Sequence, residues 1–372
     1  MKILEVTNTD FALAHFVLPL MRALKANGHD VVGVCADGPL LVQARGEGFR
    51  VETPPLARNW SPTAQVRALI ALIRLIRREK PDLLHAHMPI SGILARIAAR
   101  ICNVPCIAYT CHGFLFNQPA TPLPRRLLAL VLELICGRMT HVYMTVSREE
   151  AQDARCLRIH PAPIAIGNGR DSRVFKPDAT ARQRIRQELG TAETTPVIII
   201  VSRLVHHKGY LELLEAMTHV TAAELWIVGQ RLPSDHGLDM APALSKAQAD
   251  MGTRLKCLGY RTDIPALLAA ADIFTLPSHF EGLPMSVIEA MLCGLPVVST
   301  DIRGPREQVV QGQTGLGVPS AAPKPLAQAL NRLVHDLPSA RQMGARGRTR
   351  ALALFEENQI LNTVVTLLER RG

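Results

Sequence analysis

The feature that most narrows the fold is a strand–helix alternation that runs twice along the chain. Short runs rich in Val, Ile and Leu at 2–8, 31–36, 82–88, 106–111 and 141–146 are separated by helical stretches near 12–27, 63–79, 90–102, 122–138 and 147–157. Continuous apolar runs of this length, lodged between helices, suit parallel strands buried on both faces. The alternation begins afresh in the second half, with strands expected at 197–203, 225–229, 255–259, 273–277 and 297–300 and more helix from about residue 323. Two βαβ arrays in series predict an α/β protein of two Rossmann-like, doubly wound domains. A chain of 372 residues, too long for one ordinary core, agrees. The seam falls in PAPIAIGNGRDSRVFKPD, residues 161–178, rich in Pro, Gly and polar residues. Ligands of parallel sheets sit beyond the carboxyl ends of the strands, so the active site is expected in the cleft between the two domains.

Composition excludes some classes. Charged residues make up 20% and hydrophobic ones 48%, as in ordinary globular proteins. No segment approaches the ~18–20 uninterrupted apolar residues of a transmembrane helix. The first residues open directly on a strand without an apolar signal core, so the chain is expected in the cytoplasm. Eight scattered cysteines without a C-x-x-C pair are expected to be buried, reduced thiols, and Cys106 to Cys111-His112 lacks the paired spacing of zinc ligands. The net charge of +10 is uneven, with 19 Lys/Arg against 12 Asp/Glu in residues 1–160. Such a balance suits nucleic acid, an anionic membrane or phosphorylated substrates. With only 4% aromatics and no recognised binding module, nucleic acid is not expected.

Three segments carry chemistry. In HFEGLPMSVIEAMLCG, residues 279–294, a strand end is followed by a turn holding Glu281 and Gly282 and by a helix starting near Pro284. Proline is tolerated there because its missing N–H would be unpaired anyway. The amides of Gly282 and Leu283, backed by the helix dipole, form an anion-binding end. Glu281 and Glu289 add two carboxylates to the same rim, an odd choice unless they grip sugar and ribose hydroxyls. In VSRLVHHKGY, residues 201–210, Arg203 and Lys208 lie at the carboxyl end of the second domain's first strand, where a diphosphate would be held by a planar fork and a mobile point charge. In YTCHGFLF, residues 109–116, His112 ends a strand beside Gly113, which lets a ligand approach. His85 and His87 alternate on one strand face, a pattern open to metal binding, but no third ligand is evident and a packing or cleft-lining role is expected.

With these segments the chain closely resembles the family-4 retaining glycosyltransferases of the GT-B fold, in the branch that builds bacterial capsule, O-antigen and related lipid-linked polysaccharides. The resemblance covers almost the whole chain, including RALKANGHDVVGVC, PDLLHAHMPISGILARIAAR, IGNGRD, SRLVHHKG, LWIVG, the stretch from LGYRTDIPALLAAADIF through Glu289 to VVSTD, and TGLGVP. It implies an acceptor-binding domain over 1–167, a nucleotide-sugar domain over 168–355, and a helix over 356–372 crossing back to the first domain. It further implies that Arg203 and Lys208 bind the donor diphosphate and that Glu289 accepts from the ribose. Glu281, with Gly282, Leu283 and Pro284 behind it, would hold the donor sugar, and His112 would contact that sugar near the reacting carbon. Many relatives carry a Gly-Gly turn after the first strand; here the loop is TNTDFALAH, and Thr9, Asp10 and His15, with His87, are assigned to the acceptor side.

The expected reaction is transfer of a hexose or N-acetylhexosamine from a nucleotide-diphosphate donor, on family grounds a UDP-sugar, to a polyprenyl-diphosphate-linked acceptor. A soluble acceptor, or a nucleotide-sugar 2-epimerase of the same architecture, are the alternatives, and the Glu-x7-Glu with its Gly-Leu-Pro argues against the epimerase. No Asp-x-Asp occurs, so neither a metal nor another cofactor is expected. Residues 63–80 and 122–139 combine arginines with aliphatic faces, which predicts peripheral contact with the inner face of an anionic membrane.

Overall fold

The computed structural model describes residues 1–56, 61–118, 121–231, 235 and 237–371. The chain divides into two compact units, one of Met1–Gly167 with Asn358–Gly372 and the other of Asn168–Glu357. Residues 356 and 357, assigned from the sequence to the returning helix, stay with the second unit, where Glu356 bridges to Arg170.

The first unit is built on seven parallel strands: β1 (Lys2–Val6), β2 (Asp30–Val34), β3 (Arg50–Glu52), β4 (Leu83–His87), β5 (Cys106–Cys111), β6 (Val142–Thr145) and β7 (Ile164–Ala165). Their order is β3-β2-β1-β4-β5-β6-β7, so the winding reverses between β1 and β4. Alternation along the strands sorts the side chains onto two faces. Leu4, Val6, Leu84, Ala86, Ile107 and Tyr109 pack under the helices at 62–79, 89–101 and 123–138. Ile3, Leu83, Cys106 and Ala108 face the other way, against Leu13, Val17, Met21 and the Val364, Val365 and Leu368 stripe of the last helix, Glu357–Glu369.

The second unit holds β8 (Val197–Val201), β9 (Glu224–Val228), β10 (Leu255–Gly259), β11 (Ile273–Leu276), β12 (Val297–Thr300) and β13 (Gly315–Val318), in the order β10-β9-β8-β11-β12-β13, all parallel. The reversal lies between β8 and β11. Both units are thus doubly wound α/β sheets. The edge strands β3, β7 and β13 were not expected: they are two to four residues long, and RVE, IA and GLGV carry too little apolar sequence to stand out. The helix expected over 12–27 is broken into a short turn at Asp10–Ala12, a π-helical turn at Leu13–Val17 and a helix at Leu18–Ala26. Five cysteines are buried as expected, but Cys156 and Cys257 are exposed and Cys102 is half-buried. Among the described residues no helix is long and apolar enough to cross a membrane.

Candidate functional site

In the second unit the expected donor residues gather where β8 and β11 end side by side. Lys208 closes a single turn, His206–Lys208, and Gly209 follows in a left-handed conformation with φ of 76°. A Cβ on Gly209 would run into the Pro277 carbonyl, so only glycine lets this turn close onto the end of β11. The His279 amide seals the contact by donating to the His207 carbonyl at 2.8 Å. Lys208 Nζ thereby reaches Glu281 Oε1 at 2.6 Å, and the Ser278 hydroxyl donates to the same oxygen at 2.7 Å.

The helix beyond this turn spans Met285–Leu292 with Pro284 as its cap residue. The approach to it is fixed on both sides: Asn168 Nδ2 donates to the Leu283 carbonyl at 2.7 Å and Gln308 Nε2 to the Pro284 carbonyl at 2.9 Å. Among the described residues the amides of Gly282 and Leu283 find no acceptor. Backbone N–H groups in folded proteins are almost always paired, so two open donors at a helix start form a seat for an anion or a hydroxyl. Glu289, one turn inside the helix and buried, accepts from Arg170 Nε at 2.7 Å. Arg203 is ion-paired with Asp235. Lys208 and Glu281 thus neutralise each other, while Arg203 and Glu289 have partners, Asp235 and Arg170, that the sequence did not reveal because they lie far along the chain.

In the first unit the carboxyl ends of three adjacent strands carry a polar cluster on an otherwise apolar face. Glu5 pairs in register with His85, and His87 with Thr110. Glu5 and His85 are fully buried and His87 nearly so. His85 Nδ1 lies 3.1 Å and His87 Nε2 2.8 Å from the Glu5 carboxylate. Thr110 Oγ1 meets His85 Nε2 at 2.8 Å, and His112 Nε2 meets His87 Nδ1 at 3.3 Å. Burial alone would raise the Glu5 carboxyl, but the two histidines outweigh it and bring it down to about 2. Burial, with His85 alongside, pulls His87 down to about 4 against the pull of Glu5. Burial and the two neighbouring rings take His112 to about 3. The third partner that the His85–His87 pair lacked in the sequence is Glu5: these three residues offer potential ligand atoms within 4.8 Å of one another.

His112 is half-buried, with the Phe16 ring 6.4 Å away, and Phe11 touches both Phe16 and His15. Thr9 and Asp10 serve the local backbone. Thr9 Oγ1 accepts from the Ala12 amide at 3.2 Å, and the Asp10 carboxylate accepts from the Phe11 amide at 2.8 Å and the Leu40 amide at 3.2 Å. His87 and His112 are thus brought together directly, with His15 linked to them through Phe11 and Phe16.

Comparison with known proteins places the chain in a family. Residues 181–350 match the family described as Glycosyl transferases group 1, and residues 12–169 match the Glycosyl transferase 4-like domain. The UDP-Gal:alpha-D-GlcNAc-diphosphoundecaprenol alpha-1,3-galactosyltransferase of Escherichia coli is 34% identical over 283 residues, 74% of this chain and 72% of that protein. The N,N'-diacetylbacillosaminyl-diphospho-undecaprenol alpha-1,3-N-acetylgalactosaminyltransferase of Campylobacter jejuni is 23% identical over 380 residues, 100% of this chain and 99% of its own. Among solved structures, Anabaena HepE in complex with UDP superposes with a TM-score of 0.83 at 23% identity, covering 100% of both chains.

Proposed function

This chain belongs to the glycosyl transferases of group 1, and from that premise we propose that it moves a hexose or N-acetylhexosamine from a UDP-sugar to a polyprenyl-diphosphate-linked saccharide, with retention at the anomeric carbon. It is a glycosyltransferase, not a nucleotide-sugar 2-epimerase. The observation that carries the donor reading is the rim of the second sheet, where Lys208, Glu281 and the open Gly282 and Leu283 amides meet at the β8/β11 reversal. Arg203, Lys208 and the helix start stabilise the departing diphosphate, a transition-state charge that fixed donors meet without reorganising. Glu289, steadied by Arg170, accepts from the ribose hydroxyls, and Glu281 takes a hydroxyl of the sugar. The acceptor hydroxyl attacks the face from which the diphosphate departs, and a departing phosphate oxygen takes its proton. Acceptors in the two relatives above are diphosphoundecaprenol-linked saccharides by name, which supports a lipid-linked acceptor here.

A donor panel tests the reading: UDP-GlcNAc, UDP-GalNAc, UDP-Glc, UDP-Gal and GDP-Man, scored by protection against thermal unfolding. One UDP-sugar should stabilise the chain, by about 2.7 kcal/mol at a hundred times its Kd. No stabilisation by any of the five would defeat it. Because cationic side chains occupy the diphosphate site, transfer should also survive EDTA. Complete loss restored by magnesium or manganese would mean that the site has been misassigned.

Contact with an anionic membrane is the further part of the proposal. Helix Leu123–Arg138 turns its small and polar side, Ala129, Glu133, Cys136 and Gly137, inward. Leu123, Leu127, Leu128, Val131 and Ile135 are between 46% and 65% exposed along one stripe, with Arg125, Arg126 and Arg138 beside them. A stripe of this kind marks an interaction surface rather than a solvated face. Helix Pro62–Glu79 contributes less: it buries Leu72, Leu75 and Ile76, and Arg78 is neutralised by Glu52 and Glu79. In flotation, vesicles rich in phosphatidylglycerol or cardiolipin should carry the chain at low salt and lose much of it at ~0.5 M, where screening shortens the reach of charge to a few ångströms. Replacing Leu127 and Val131 by aspartate should abolish flotation. Indifference of the wild-type chain to such vesicles would end the membrane reading.

A further inference from the structure

Period-two alternation along β1, β4 and β5 puts Glu5, His85, His87 and Thr110 on one buried face, and the turn after β5 brings His112 against its end. The directions of the hydrogen bonds in this cluster follow from elementary chemistry. An ionised carboxylate only accepts, so the ring nitrogens facing Glu5, Nδ1 of His85 and Nε2 of His87, both carry their protons. A neutral imidazole has one proton, so Nδ1 of His87 is a bare acceptor, and the His112 nitrogen 3.3 Å from it must be the donor. The remaining nitrogen of His112, Nδ1, then carries a lone pair, and among the described residues it has no hydrogen-bond partner. Glu5 at 0% and His87 at 4% exposure are out of reach of a substrate, whereas half-buried His112 is not. The ring pKa values, about 4 for His87 and about 3 for His112, keep both rings neutral at neutral pH and the polarity of the chain of bonds intact.

We propose that Glu5 and His87 are positioning residues that hold His112 as its Nε2–H tautomer, so that Nδ1 accepts a hydrogen bond from a hydroxyl of the transferred sugar. The proposal rests on the glycosyl-transfer reading for the identity of the hydroxyl, but not for the tautomer. Glu5 fixes the ring of His87, and His87 fixes that of His112. Partners of this kind act by setting which nitrogen is a donor and where the ring points.

Two variants separate positioning from mere packing. His87→Leu fills the space but neither donates to Glu5 nor accepts from His112. His87→Gln has an amide that donates to Glu5 and a carbonyl that accepts from His112. In the full chain labelled with ¹⁵N-histidine, ring ¹⁵N–¹H correlation should show His112 as the neutral Nε2–H tautomer, identified by its absence in His112→Gln. That tautomer should be lost or mixed in His87→Leu and retained in His87→Gln. With the donor identified by the panel, kcat should fall about tenfold or more in His87→Leu and largely recover in His87→Gln. The Kd for UDP should stay unchanged, because the nucleotide contacts lie in the other unit. A wild-type His112 protonated on Nδ1 overturns the proposal, and so does a His87→Leu variant with the wild-type tautomer or wild-type kcat. A stoichiometric divalent metal in the purified chain, lost on His87→Leu, overturns it as well, since a metal bound by Glu5, His85 and His87 needs the ring lone pairs where the relay needs protons. If the wild-type chain binds no nucleotide, the function reading fails while the tautomer measurement still judges the relay.

Discussion

Lys208→Ala should lower transfer about a hundredfold while leaving the fold intact. Removing one preorganised contact to a developing charge costs about 3 kcal/mol in the transition state, which corresponds to that factor. The stability cost should be small by comparison, because Glu281 keeps its hydrogen bond from Ser278 and the local backbone is pinned through Gly209 and the His279 amide. Glu289→Ala should lose activity to a similar degree, with part of the loss appearing as weaker UDP binding. Steady-state kinetics beside melting curves check both. Wild-type turnover by Lys208→Ala would remove the residue from the diphosphate site.

Glu133→Leu should be among the most destabilising single changes in the chain. Arg96 is fully buried, donates to both Glu133 oxygens at 2.8 and 2.9 Å and stacks 3.7 Å from the Tyr109 ring, and Tyr143 Oη donates to the same carboxylate at 2.7 Å. Taking away the carboxylate leaves a buried guanidinium without a counter-charge, which typically costs 3–5 kcal/mol. A melting temperature lower by on the order of 10 °C is expected for a unit of this size. Arg96→Met in the Glu133→Leu background should recover most of it, since a well-packed apolar pair often replaces a buried ion pair at little cost. A Glu133→Leu chain that melts like the wild type would mean that the pair is hydrated or replaceable.

That pair also shows why helix 123–138 could not be oriented from its sequence. A single glutamate among leucines marks the solvent side of an isolated amphipathic helix. Here it points inward because Arg96, 37 residues earlier, waits in the neighbouring helix, and the leucines point out. The strand pattern was legible because each central parallel strand must be apolar on both faces, whereas β3, β7 and β13 were not because RVE, IA and GLGV are too short and carry too few large apolar residues to stand out. Lys208, Glu281 and Glu289 were legible as a spacing between a strand end and a helix start. Long-range pairs were not: Arg170 lies 119 residues from Glu289 and Glu5 lies 80 from His85, and only the fold joins them. Glu5 did leave one signal, a charge at an inward position of a strand whose neighbouring inward residue is Ile3. Read with the His85–His87 alternation, it could have supplied the missing partner.

The most direct test of the account is a transfer reaction with a short synthetic polyprenyl-diphosphate-linked N-acetylhexosamine as acceptor, run in EDTA with the UDP-sugar that best protects the chain. Mass spectrometry and NMR of the product should show one sugar added to the lipid-linked saccharide. Its anomeric configuration should be that of the donor, with one UDP released for each sugar moved. An inverted linkage, or UDP release without glycosylated lipid for every donor in the panel, would contradict it.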